Sequence, residues 1–159
     1  MPEAVLRDRI AIVTGGESGI GAACSTALAS AGADIAILYH NDTNEAEAVA
    51  RLVEATGRRA VIIRTDVGVE ADVEGAFDHA KEVLGVPDIL INSAGLNMSG
   101  IEVADMSLEQ WNQLIRVDLT GSFLTSRRFV RELRAAKRGG AIINITSIHS
   151  SVMRAGGAV

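Results

Sequence analysis

Chemistry in this chain concentrates where short apolar runs end. After the run at residues 10–13 comes Thr14-Gly15-Gly16-Glu17-Ser18-Gly19-Ile20-Gly21, which leads straight into a stretch of helical spacing. Glycines permit a tight turn and let the backbone approach a ligand, while a helix N-terminus offers unpaired amides and partial positive charge, a combination suited to a diphosphate. Gly15, Ser18, Gly19, Ile20 and Gly21 are therefore read as a diphosphate cradle. The turn lacks a Gly-Lys-Ser/Thr ending, which disfavours a P-loop nucleotidase. A second turn, Asn92-Ser93-Ala94-Gly95, and a third, Thr146-Ser147, likewise follow apolar runs. The three histidines, His40, His79 and His149, have no metal-ligand spacing, so no metal site is expected.

The elements that must position these turns read as strands at residues 9–14, 34–39, 60–65, 88–92 and 141–146, mostly continuous Ile, Val, Leu and Ala, as suits strands buried on both faces. Helical stretches alternate with them. The first, residues 19–31, places Ile20, Ala23, Cys24, Ala27, Leu28 and Ala31 on one small-residue face and stops at Gly32. Others begin near Asp42 or Thr43 and end at Gly57, and run over residues 70–84 up to Gly85. The last opens at Ser107, with Gln110 completing a capping box, and continues toward Lys137; Gly121 inside it implies close backbone packing. Such alternation predicts an α/β fold of parallel βαβ units in a single domain over residues 1–159, and taken as a Rossmann-type doubly wound parallel sheet the strands would stand in the order 3-2-1-4-5. In that order the first and fourth strands flank the topological switch point, so the turns at Gly15 and Asn92 would line one crevice at the carboxyl ends of the strands.

Composition narrows the partners. The net charge of −5 gives no electrostatic footprint for nucleic acid. No run approaches the ~20 apolar residues of a membrane span and the N-terminus has no signal-peptide core, so a cytoplasmic protein without membrane partners is expected. The single cysteine, Cys24, is read as core.

The spacing Thr-Gly-x-x-x-Gly-Ile-Gly, with the turns that follow it in order, resembles the short-chain dehydrogenase/reductase family. The resemblance implies NAD or NADP as cofactor and hydride transfer between the nicotinamide and the carbinol or carbonyl carbon of a small-molecule alcohol or carbonyl substrate. Asp66-Val67 resembles the pair with which family members hold the adenine, and Asn92-Ser93-Ala94-Gly95 resembles the family's Asn-Asn-Ala-Gly, with serine in second place. Tyr39 and His40, closing the second strand on the adenosine-ribose side, complete the cofactor-binding set with Thr146, although His40 also reads as a solvent-facing loop residue. Ser147 matches the catalytic serine, which in that family orients the substrate rather than attacking it. The segments Met106-Ser107-Leu108, Trp111-Asn112, Leu119-Thr120-Gly121 and Ser147-Ile148-His149 resemble bacterial glucose 1-dehydrogenase-like members, which adds glucose to a substrate list of sugars, secondary alcohols and 3-oxoacyl thioesters.

Cofactor choice is left open between NAD and NADP. No acidic residue closes the second strand, yet Glu17 would repel an extra phosphate and the loop has no arginine. Two departures from the family pattern stand out. Val117-Asp118-Leu119 carries aspartate where the family has an asparagine that helps hold a water; either the carboxylate alters a neighbouring catalytic lysine or the backbone still holds the water. The family's Tyr-x-x-x-Lys is expected immediately beyond Val159, so residues 1–159 read as part of a longer enzyme, inactive alone, with an exposed apolar edge at the fifth strand. The alternative is a catalytically silent dinucleotide-binding or assembly module. The long helix reads as an assembly surface for a homodimer or homotetramer.

Overall fold

The computed structural model describes residues 4–98 and 100–147. Among these residues five parallel strands form one sheet: β1 (Ile10–Thr14), β2 (Asp34–Tyr39), β3 (Ala60–Arg64), β4 (Ile89–Asn92) and β5 (Ala141–Asn144), in the order β3-β2-β1-β4-β5. The order is the one the sequence predicts. Helices α1 (Gly19–Ser30), α2 (Thr43–Glu54) and α3 (Glu70–Leu84) provide the crossovers between β1, β2, β3 and β4. Between β4 and β5 come α4 (Leu108–Leu114), a π-helical segment (Ile115–Gly121) and α5 (Ser122–Ala136).

Alternate side chains along the strands serve two cores. Ile12, Leu38 and Leu90 pack with Val73, Phe77 and Ala80 of α3 and with Leu124, Phe129 and Leu133 of α5. Val13, Ile35, Ile37 and Ile91 pack on the other face with Ala29 of α1 and Ala46, Val49 and Val53 of α2. This double cover is why β1, β2 and β4 are buried along their whole lengths. β3 is half-buried, contrary to the expectation that such apolar runs would be covered on both faces, whereas β5 is exposed among the described residues, in line with the open apolar edge expected at the fifth strand. Among the described residues both stand at an edge of the sheet, where a strand has one neighbour instead of two.

Three further corrections concern the helices and strand ends. The inner face of α1 is Gly21, Ser25 and Ala29, four residues apart, whereas Ile20 is 59% exposed and Ala23 and Ala27 point outward. On a helix made mostly of Gly, Ala and Ser, hydrophobicity does not select a face; closeness does, and the face without bulk meets the sheet. The long helix is not uniform: the capping box of Ser107 and Gln110 starts α4 as expected, but the wider π turn intervenes before α5. Such turns occur often at functional sites. β5 ends at Asn144 and β3 at Arg64, which leaves Thr65, Thr146 and Ser147 in the segments after the strands. Among the described residues no helix is long and apolar enough to cross a membrane.

Candidate nucleotide-binding cleft

Register brings the strand ends level. Thr14 pairs with Leu38 on one side and Asn92 on the other, and Asn92 with Asn144. Above this edge lies a cleft of about 760 Å³, lined along its length by the glycine turn, the ends of β2 and β3, the turn after β4 and the π-helical segment.

The glycine turn is shaped by contacts only hydrogen allows. A Cβ on Gly21 would fall 2.0 Å from the Gly15 carbonyl oxygen, so the first turn of α1 is pressed onto the turn itself. Gly15 has φ +60°, and a Cβ there would meet Ala94 Cα at 3.0 Å, which ties the glycine turn to the turn after β4. Thr14 strengthens the tie: its hydroxyl accepts from the backbone N–H groups of Ser93 and Ala94, each at 3.0 Å. Gly19 adopts φ +52° with open space where a Cβ would stand. Ser18, the residue before α1, makes no side-chain cap bond and the first turn holds no carboxylate, so the helix keeps its N-terminal donors and positive end for a ligand.

The sequence-predicted residues divide by position. Gly15, Ser18, Gly19, Ile20, Tyr39, His40, Asp66, Val67, Ser93, Ala94 and Gly95 line the cleft. Gly21 lies beneath its floor, as the contact with Gly15 requires. Asn92 is not a cleft residue. Its amide is 4% exposed and consumed internally, donating to Ser126 Oγ (3.0 Å) and Asn144 Oδ1 (2.8 Å) and accepting from Thr125 Oγ1 (2.7 Å), so it clamps β4 to β5 and α5 behind the site. Thr146 and Ser147 are exposed just after β5, and of that segment it is Ile145 that lines the cleft. Ile148, His149 and Val159 lie outside the described residues.

A family model described as short chain dehydrogenase matches residues 9–159. The chain belongs to the short-chain dehydrogenase/reductase family. It is 38% identical over 141 residues to the uncharacterized oxidoreductase YohF of Escherichia coli K12, covering 89% of this chain and 55% of that protein. With glucose 1-dehydrogenase 2 of Bacillus subtilis 168 the identity is 31% over 151 residues, covering 94% and 58% respectively. The chain thus spans little more than half the length of these relatives. A short-chain dehydrogenase from Burkholderia cenocepacia J2315, solved in complex with NADP, superposes with a TM-score of 0.87 at 33% identity, over 96% of this chain and 61% of that one. A Mycobacterium marinum short-chain dehydrogenase/reductase gives 0.90 at 30% identity, over 96% and 61%.

Within this member of the short-chain dehydrogenase/reductase family, Asp66 lines the cleft and Asp118 supports the turn after β4 that lines it, and their environments differ in sign. Asp66 accepts from Arg116 Nη1 with both carboxylate oxygens at 2.8 Å and from the Gly68 N–H at 2.9 Å. Burial pushes its carboxyl up, but the hydrogen bonds from Arg116 and Gly68 and the charges of Arg116 and His40 outweigh that and hold it below the ordinary value. Asp118, in the π-helical segment, accepts the Leu96 N–H at 2.8 Å and stands beside Gly95. Burial pushes its carboxyl above the ordinary value, and the Leu96 hydrogen bond only partly opposes this. Thr14 and Arg116 were missed by sequence reasoning. Arg116 is 50 residues from Asp66 and no spacing rule joins them; Thr14 was visible as the first residue of the turn but gives no local sign of reaching β4.

Proposed function

We propose that this chain forms the cofactor-binding part of an NAD(P)-dependent oxidoreductase that transfers hydride between a nicotinamide and a carbinol or carbonyl carbon, in a sugar such as glucose, a secondary alcohol or a 3-oxoacyl substrate. The observation that carries the reading is the cradle itself: a glycine turn compressed so far that Gly21 has no room for a Cβ, opening at the uncapped N-terminus of α1 onto a cleft across the switch point of the sheet. These residues fit a dinucleotide. The α1 amides with Gly15, Ser18, Gly19 and Ile20 would hold the diphosphate, Tyr39, His40, Asp66 and Val67 the adenosine end, and Ser93, Ala94 and Gly95 the middle of the cofactor. When bound, the nicotinamide supplies the hydride chemistry. Ser147, just after β5, would hydrogen-bond and orient the substrate oxygen. Asn92 enters this reading as a support for the turn after β4 and Asp118 as the anchor of that turn through Leu96, with Thr146 flanking Ser147.

The relatives favour the enzyme reading, since the glucose 1-dehydrogenase and the NADP complex share the family and the sheet. Within it the chain forms a single dinucleotide-binding domain of a cytoplasmic protein. The exposed apolar residues Leu119, Phe123 and Val130, spaced along the π segment and α5, support assembly as a homodimer or homotetramer. Asp118 in the family's asparagine place favours one other reading, a silent dinucleotide-binding module.

Intact mass of the natural protein comes first, followed by titration with NAD and NADP and a screen of sugars, secondary alcohols and 3-oxoacyl thioesters. The enzyme reading expects nucleotide binding and turnover, with Ser147→Ala losing turnover but keeping nucleotide affinity. Binding without turnover of any substrate supports the silent module. Absence of nucleotide binding by the natural protein rejects both.

A further inference from the structure

We infer, resting on the dinucleotide reading of the cleft, that Glu17 selects NAD over NADP by accepting from the adenosine ribose hydroxyls and repelling a 2′-phosphate. In NAD-binding sheets of this kind the acidic residue for the ribose 2′-hydroxyl stands about 20 residues past the glycine turn, at the end of the second strand. Here β2 ends at Tyr39 and continues as His40-Asn41-Asp42, and the Asp42 carboxylate caps α2 by accepting from the Glu45 N–H at 3.0 Å and does not line the cleft. The carboxylate for the ribose arrives from the opposite side.

Glu17 stands in the turn between β1 and α1, lines the cleft, and brings its Oε1 to 3.5 Å from the His40 N–H, so its side chain spans from the diphosphate cradle to the end of β2. Its second oxygen, Oε2, is buried without a hydrogen-bond partner. A carboxylate oxygen withdrawn from water needs donors, and a ribose diol supplies them where an added phosphate supplies only a second anion.

The neighbouring basic side chains are committed elsewhere. Arg116 is held by both oxygens of Asp66, and His40 Nε2 lies 3.8 Å from the same carboxylate. Arg64 donates through Nε to the His40 carbonyl oxygen at 3.2 Å and does not line the cleft. A 2′-phosphate would therefore meet the Glu17 charge before any free cation among these groups.

The test is calorimetric titration of the full-length protein with NAD, NADP, ADP-ribose and 2′-phospho-ADP-ribose at fixed ionic strength, which reads the ribose contact without turnover. The 2′-phosphorylated member of each pair is expected to bind weaker by about tenfold or more. Glu17→Gln keeps the shape and an acceptor toward His40, and should narrow that gap about tenfold, mainly by improving the phosphorylated ligands. Glu17→Ser checks the same result with a smaller side chain, and urea midpoints establish that each variant is folded. Equal or tighter binding of NADP by the natural protein overturns the inference, as does a ratio unchanged in both folded variants. Failure of all four ligands to bind overturns the dinucleotide reading itself, and this inference with it.

Discussion

β1 reads Ile-Ala-Ile-Val-Thr and β5 reads Ala-Ile-Ile-Asn, yet every residue of β1 is buried and every residue of β5 is exposed. By residue type alone the two runs look alike. What separates them is place in the sheet: β1 sits between β2 and β4 with α1 and α3 helping to cover its two faces, while β5 pairs with β4 alone among the described residues. The cradle is built on the covered strand and Ser147 follows the exposed one.

Truncating equivalent isoleucines tests that contrast most strongly. Ile12→Ala in β1, fully buried, should cost about 4 kcal/mol. Ile143→Ala in β5, 48% exposed, should cost under about 1 kcal/mol, both read from urea unfolding of this chain. A cost at Ile143 equal to that at Ile12 would mean that β5 is covered by something outside the described residues.

Asn92 joins the two regions, and its removal sharpens the comparison. Asn92→Ala removes the donor that Asn144 Oδ1 and Ser126 Oγ accept from, and leaves Thr125 only the Gly121 and Ser122 carbonyls, and should lower stability by about 2–3 kcal/mol. Because the amide faces away from the cleft, nucleotide affinity should change by less than about threefold. A loss of affinity at unchanged stability would show instead that Asn92 contacts the ligand.

The smallest effect concerns Asp118 against Asp66. A carboxyl whose folded pKa is raised, as at Asp118, binds its proton more tightly in the native state, so stability falls as pH rises from the ordinary aspartate value through the raised one. Asp118→Asn keeps an oxygen for the Leu96 N–H and removes that fall; melts across the acid-to-neutral range should show a small rise in Tm above the window and none below it. Asp66 has the opposite sign. Its depressed pKa contributes stability above the ordinary aspartate value that is lost as pH falls through the folded one, and Asp66→Asn should erase that acid-side loss along with its benefit at neutral pH.

Much of the architecture was legible because it depends on local pattern. Apolar runs of strand length, glycines ending helices and the capping box at Ser107 each carry their own signal, and alternation of strands with helices implies the parallel order. The face of α1 was not legible, since its small residues leave hydrophobicity nearly even around the helix. The inner pairing of Asn92 was hidden for another reason: an asparagine at a strand end can turn to the ligand or to its own scaffold, and the partners that decide are 33, 34 and 52 residues away.

By itself the sequence determined the strand–turn–helix units, the position of the glycine turn and the family, because each is encoded within one short segment by backbone freedom and residue period. Only the tertiary structure decided which apolar strand is interior, which polar side chain lines the cleft, that Arg116 clamps Asp66 and that Glu17 reaches the end of β2. Those outcomes depend on which segments the packed sheet brings within hydrogen-bond reach, and that distance is a property of the whole fold rather than of any stretch of the chain.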